Sequence, residues 1–214
     1  MANSPHPILP SLNELSWQQG SPSDLTHDLQ LMLLIQPNCP GCHIHALPLA
    51  NQIASSPNRF FDIYCVSTAF EDFDFNNPDT ARLLLEGKHV GVSKERLGEE
   101  VRHVPTMPLA HDIITPLSQA SAALKDLALE SIKASARQQM AGRLPSDVLE
   151  RQLARVGYDM LPAQIATLFS TVQAMGTPTW VLHRKNGQVL SVRLGEEITS
   201  EAGLLEWIER SQRG

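Results

Sequence analysis

The chain has 214 residues, enough for one large domain or for a core with an insertion, and its 42% hydrophobic content supports a sizeable core. Seventeen basic against 23 acidic residues leave a net charge of −6; the few Lys and Arg are scattered, so no basic patch invites nucleic acid. No apolar run approaches the roughly 18 to 20 residues of a membrane span, which leaves a soluble globular enzyme or carrier.

In chain order, Met1-Ala-Asn-Ser-Pro-His-Pro7 lacks the charged and apolar regions of a signal peptide. The expected compartment is the cytoplasm, or the periplasm if an export signal has been removed. In the cytoplasm a Cys-x-x-Cys pair reads as redox-active rather than structural. Leu12 to Gly20 and Leu25 to Leu29 read as a short hairpin ahead of the first core strand, Leu31-Met-Leu-Leu-Ile35. That strand leads into Cys39-Pro40-Gly41-Cys42, then a helix from Gly41 to about Ser55 and a second strand, Phe60 to Val66. A crossover of this length makes the two strands parallel and the connection right-handed.

The strand delivers two cysteines, three positions apart, to the first turn of a helix, where their side chains share one face. Cys39 falls at the N-cap and Pro40 at N1, where its missing N–H costs nothing. The free N–H groups of that turn and the positive end of the helix dipole favour a thiolate on Cys39. An unperturbed thiol, with a pKa of about 8.5, is only a few per cent ionised at pH 7. Cys42, one turn in, is better shielded and suited to resolving a mixed disulfide.

Between Ser67 and Leu161 most of the chain reads as helix. Asn77-Pro78 opens a short helix that Gly87 closes. Thr115-Pro116 opens a long one, with Leu117, Ala120, Leu124, Leu127 and Ile132 near one stripe, and Gly142 ends it. Ser146 caps a third, closed by Gly157, and Pro162 starts a helix leading into Gly176. Next come Gly176-Thr177-Pro178, a strand from Thr179 to His183, a turn at Asn186-Gly187, a strand from Val189 to Leu194 and a helix capped near Thr199. Asn-Gly between two alternating runs is a strong hairpin signal.

The strand, Cys-x-x-Cys and helix, followed by Gly176-Thr177-Pro178 and a hairpin, resemble the thioredoxin superfamily. The resemblance implies an α/β thioredoxin-like fold, a central mixed sheet flanked by helices, with a core at 12–68 and 162–214 and a mainly helical insertion at 69–161. It implies thiol–disulfide exchange with Cys39 as nucleophile and Cys42 resolving. Thr177 and cis-Pro178 would hold the substrate strand, and Pro40 and Gly41 would tune the pair. It implies no cofactor and no metal; the partners are a disulfide-bearing protein or small disulfide and a redox partner for recycling. Val104-Pro105-Thr106 also looks like a cis-proline segment, but no clear strand or hairpin signal follows it. The inserted helices resemble the DsbA-like branch, and the N-terminal hairpin resembles TlpA-like and peroxiredoxin-like proteins.

Departures from the family pattern matter as well. Leu33 stands where thioredoxins carry a buried acid, and Asn38 where they carry Trp. Pro40-Gly41 reverses their Gly-Pro order. Gln36-Pro-Asn-Cys39 lacks the Thr of a peroxiredoxin motif, which argues against peroxidase chemistry. Cys65, mid-strand among apolar neighbours, reads as a buried structural thiol. Cys39, Cys42, His43 and His45 could bind zinc or copper, and Cys-x-x-Cys-His also matches covalent haem attachment. Neighbouring helical positions do not all face one way, so both histidines read as ordinary residues near a surface. The non-enzymatic alternative is a metal-binding or assembly protein using Cys39 and Cys42 as ligands. Phe70 to Phe75 reads as a partly buried connection, and Arg82, Arg137, Arg151 and Arg155 as solvated helix faces.

Overall fold

A computed structural model describes residues 7–57 and 59–213. Strand β2 (Leu29–Ile35) is buried at all seven positions, which is why its sequence shows no polar alternation. It pairs in parallel with β3 (Asp62–Ser67) and antiparallel with β7 (Thr179–Arg184). On one side the sheet continues to β4 (Leu109–His111) and β1 (Ser16–Gln19), on the other to β8 (Val189–Leu194), giving the order β1-β4-β3-β2-β7-β8.

Each face of this sheet has its own core. Leu31, Leu33 and Ile35 meet α1 (Leu47–Ala54) and Leu204, Trp207 and Ile208 of α7 (Glu201–Arg213). Met32 and Leu34 point the other way, onto Tyr64, Phe169 and Val172. Leu33, where a buried acid would stand in a thioredoxin, is fully enclosed with Cys65 and Trp180 as its strand partners.

Several expected elements fall elsewhere. The N-terminal segment does not form a hairpin before β2: residues 16–19 pair antiparallel with β4 at the sheet edge, and Leu25 is buried in the same cluster as Met32 and Leu34. The span 69–161 is not set apart from the core, because Leu109–His111 returns to the main sheet beside β3. A three-residue strand is too short for a period-two signal, and Met107-Pro108 before it reads as loop. The helices of that span are α2 (Pro78–Leu85), α3 (Gly91–Leu97), α4 (Ala122–Met140) and α5 (Ser146–Leu153).

Thr115-Pro116 does not open α4. It belongs to β5 (Ile114–Pro116), which pairs with β6 (Gln164–Ala166) in a small second sheet. Ser121 caps α4 instead, its Oγ accepting from the Leu124 N–H at 3.2 Å. Pro162 likewise precedes β6, and only the short α6 (Thr167–Thr171) follows. In both places the backbone found a cross-strand partner more than forty residues away, which local periodicity cannot register. No helix among the described residues is long and apolar enough to cross a membrane.

Because β2 packs on both faces, truncating Leu33 leaves a cavity that neither layer can close. Leu33→Ala should lower unfolding free energy by about 2–5 kcal/mol, while Leu33→Met should cost under about 1.5 kcal/mol. Urea titration checks this; a loss below about 1 kcal/mol for the alanine variant would show that β2 is not the centre of packing.

Candidate functional site

The chain leaves β2 at Ile35 and turns through Gln36, Pro37 and Asn38 into a helix that starts at Pro40. Residues Cys42–Ala46 form a π-helical turn that runs directly into α1. Cys39 lies just outside this helix and is half-buried, while Cys42 is completely buried in the core beneath it. Both are free thiols.

The pair is electrostatically asymmetric. The Cys42 side chain donates to the Cys39 sulfur, and the Cys42 N–H donates to it at 3.3 Å. These bonds, with a smaller one from the Gly41 N–H, outweigh partial burial and bring the Cys39 pKa down to about 7. Cys42 is pushed well above its usual value by burial, by its bond to Cys39 and by the neighbouring negative charge. Helix-start N–H groups therefore act as expected, but the largest contribution comes from the second thiol.

Pro178 sits across the cleft. The Thr177–Pro178 bond is cis, and the Cys39 thiol donates to the Thr177 carbonyl at 3.5 Å. Pro105, the competing candidate, is not cis. Gly195, just after β8, backs this turn: its N–H donates to the Pro178 carbonyl at 2.7 Å. A Cβ at Gly195 would lie 2.3 Å from Pro178 Cγ, so only glycine fits. Nothing in the local sequence marks Gly195 for this role, since the contact is purely tertiary.

Three buried amides tie the surroundings to the cysteine turn. Gln36 accepts from the Thr177 hydroxyl at 2.9 Å and donates to the Glu71 carbonyl at 3.3 Å. Asn76 donates to the carbonyls of Glu71 and Asp72 at 3.0 and 3.2 Å, and its Oδ1 accepts from the Asn38 N–H at 3.1 Å. Asn38 donates to Asp72 at 3.0 Å and accepts from the Val92 N–H at the start of α3. Gly91, with φ of +47°, makes that approach possible: a Cβ there would lie 2.2 Å from Asn38 Oδ1. Asn38 in place of Trp was the visible signal; its two distant partners were not.

These ties shape a cleft of about 340 Å³ at Cys39, lined among others by Glu71, Asp72, Arg96, Gln139 and Thr177. Phe70, Glu71 and Gln139 also border an apolar groove of about 280 Å³ between α4 and α6. The segment Phe70 to Phe75, which the sequence suggests as a substrate groove or, preferably, a partly buried connection, thus contributes Phe70, Glu71 and Asp72 to the cleft wall.

The histidines correct the sequence reading. His45 is exposed, but His43 is buried, with Nε2–H donating to the Pro37 carbonyl at 2.8 Å and its ring edge-on to His89 at 4.5 Å. Burial, aided by His89, lowers its pKa to about 4. With Nε2 committed to a carbonyl, His43 is not presented as an axial haem ligand. Among the described residues no three His, Cys, Asp or Glu side chains gather as a metal site, so Cys39, Cys42, His43 and His45 do not form one ligand set. Cys65 lies 3.3 Å from Met107 Sδ, and burial alone drives its pKa far upward.

A thioredoxin-like superfamily protein of known structure superposes with a TM-score of 0.52 over 95% of both chains, at 18% identity. The fold is thioredoxin-like. A thiol-disulfide isomerase from Corynebacterium glutamicum aligns over 98% of this chain and 97% of its own, at 17% identity and a TM-score of 0.49. No protein-family model and no curated protein matches the sequence. Within this thioredoxin-like frame, β2, the cysteine helix, β3 and the β7–β8 hairpin supply the two cysteines and the turn that faces them.

Gly195→Ala should displace Pro178, cost about 1–3 kcal/mol of stability and change the alkylation rate of Cys39. Gly41→Ala, whose Cβ would meet only Cys39 Sγ at 3.8 Å, should leave stability nearly unchanged. Urea titration and timed alkylation of both variants check the contrast; equal behaviour would mean that the Gly195–Pro178 contact positions nothing.

Proposed function

We propose that this chain is a thiol–disulfide oxidoreductase in which Cys39 attacks and Cys42 resolves. The carrying observation is the inequality of the two thiols: one half-exposed with its pKa near 7, the other buried and held protonated. Attack requires a thiolate that is plentiful at working pH yet still nucleophilic, and a pKa near ambient is the optimum for that compromise. At pH 7 about half of Cys39 is ionised on this footing.

The steps follow from the geometry. Cys39 thiolate attacks a substrate sulfur, and one substrate thiolate leaves. Burial is the main reason that Cys42 keeps its proton, but once Cys39 is in a mixed disulfide it no longer carries charge, so the added contribution of that charge disappears. Cys42 then attacks Cys39, its proton passing to the departing substrate sulfur, which releases the second substrate thiol and leaves a Cys39–Cys42 disulfide. Thr177 and Pro178 supply the backbone against which an extended substrate segment can lie. Pro40 and Gly41 set the helix start that aims the N–H donors at Cys39. A disulfide-bearing protein or small disulfide is the substrate class, and a second redox partner restores the dithiol. In this reading the loop at 70–72, α3 and the end of α4 narrow the entrance and restrict which disulfides reach Cys39.

The pH dependence follows from the sign of each shift. A thiol whose pKa is lowered gains reactivity as pH rises through that value and levels off above it. Iodoacetamide labelling of Cys39 should therefore reach half its maximal rate near pH 7, with Cys42 and Cys65 unlabelled in the folded protein. Cys42→Ala removes the strongest donor, so the Cys39 midpoint should move upward, and mixed disulfides should accumulate on Cys39. Preferential labelling of Cys42, or no trapped disulfide in Cys42→Ala, would reverse the assignment.

A further inference from the structure

The cleft at Cys39 carries charges of both signs that do not neutralise one another. Glu71 and Asp72 line one part of it and Arg96, on α3, another. Arg96 is the one cationic side chain lining the cleft among the described residues. Its neighbour Lys94 is paired with Glu99 at 2.7 Å, whereas Arg96 enters no ion pair among the described residues.

The separation is built in rather than accidental. Asn76 and Gln36 grip the backbone of Glu71 and Asp72, and Asn38 holds both Asp72 and the start of α3, where Arg96 resides. All three amides are buried, and all three bond to the turn that carries Cys39 or belong to it. Asn38 thereby holds the Asp72 carboxylate at one end and the first turn of α3, the helix that carries Arg96, at the other, next to Cys39. At about 340 Å³ the cleft lies at the small end of the roughly 300–1,000 Å³ of small-molecule sites.

We infer that this cleft selects zwitterionic amino-acid disulfides, Arg96 taking the α-carboxylate and the Glu71–Asp72 pair the α-ammonium. The inference rests on the oxidoreductase reading and narrows its substrate class. A cysteine inside a polypeptide has neither free charge beside its sulfur, so this arrangement favours a free disulfide such as cystine over a protein. The reaction is a two-electron exchange. Cys39 thiolate forms a bond to one cystine sulfur and expels one cysteine. The Cys42 sulfur bonds to Cys39 and expels the second cysteine, whose sulfur takes up the Cys42 proton. Cystine is reduced to two cysteines, and the dithiol is oxidised to the disulfide.

The test uses the full-length reduced protein and four disulfides of similar length. Cystine carries both charges, 3,3′-dithiodipropionate only carboxylates, cystamine only ammonium groups, and 2-hydroxyethyl disulfide neither. The second-order rate of protein oxidation is divided by each disulfide's rate with a free small thiolate, which removes differences in leaving-group acidity. Cystine should then exceed hydroxyethyl disulfide roughly tenfold, the scale of two partly exposed charge pairs. Arg96→Ala and Glu71→Gln should each lower the cystine-to-hydroxyethyl ratio about threefold, and Arg96→Lys should restore part of it. Both side chains are exposed, so the variants keep the fold. A wild-type preference for dithiodipropionate or cystamine over cystine, or an unchanged ratio in Arg96→Ala, overturns the inference. Equal corrected rates with all four overturn it while leaving the oxidoreductase reading in place. Failure of every disulfide to oxidise the protein overturns that reading and the inference together.

Discussion

The chemistry of this chain depends on a difference in solvation between two sulfur atoms one helical turn apart. Cys42 is sealed under the helix by the core that β2 creates, and a thiolate there would be stranded without water. Its proton therefore stays, and the retained S–H is free to stabilise charge on Cys39. The two pKa values are driven apart by one burial gradient, and the helix N–H groups add to a contrast that packing has already set. Leu33 belongs to the same arrangement. It is an aliphatic side chain in the enclosed position between Cys65 and Trp180, in the same apolar cluster as Cys42.

Around that pair the structure spends polar side chains where most cores spend apolar ones. Gln36, Asn38 and Asn76 are nearly inaccessible, yet each has partners of good length, so their burial carries no unpaired cost at the atoms that face the site. A network of this kind specifies geometry more than it adds stability. It draws together a loop after β3, the start of α3 and the turn before Pro178, three segments that are far apart along the chain. Asp72, held at a positive φ of 49°, shows that the loop is bent to suit these bonds. The cleft wall is thus made from the helical span, which is coupled to the sheet through β4 as well as through side chains.

Much of this was legible in the sequence because the signals were local. The apolar run from Leu31 to Ile35 marked a core strand, and Pro40 suited the first position of a helix. Asn77-Pro78 capped α2, and Asn186-Gly187 closed the hairpin between β7 and β8. The two cysteines and Thr177-Pro178 were recognisable from spacing and family resemblance, and the structure brings Cys39 Sγ within 3.5 Å of the Thr177 carbonyl. Each of these features arises within one or two turns of backbone, where dihedral preference and capping dominate.

What only the tertiary structure decided were the features whose cause lies far along the chain. The edge pairing of β1 with β4, the β5–β6 ribbon in place of a longer α4, and the burial of His43 all come from partners too distant to leave a periodic trace. Gly195 and Gly91 are required only because Pro178 and Asn38 pack against them. By itself the sequence determined where the thiols stand on the helix, because backbone stereochemistry is local. How far the two thiols differ, and what surrounds them, depends on packing, because desolvation and charge act through space and not along the chain.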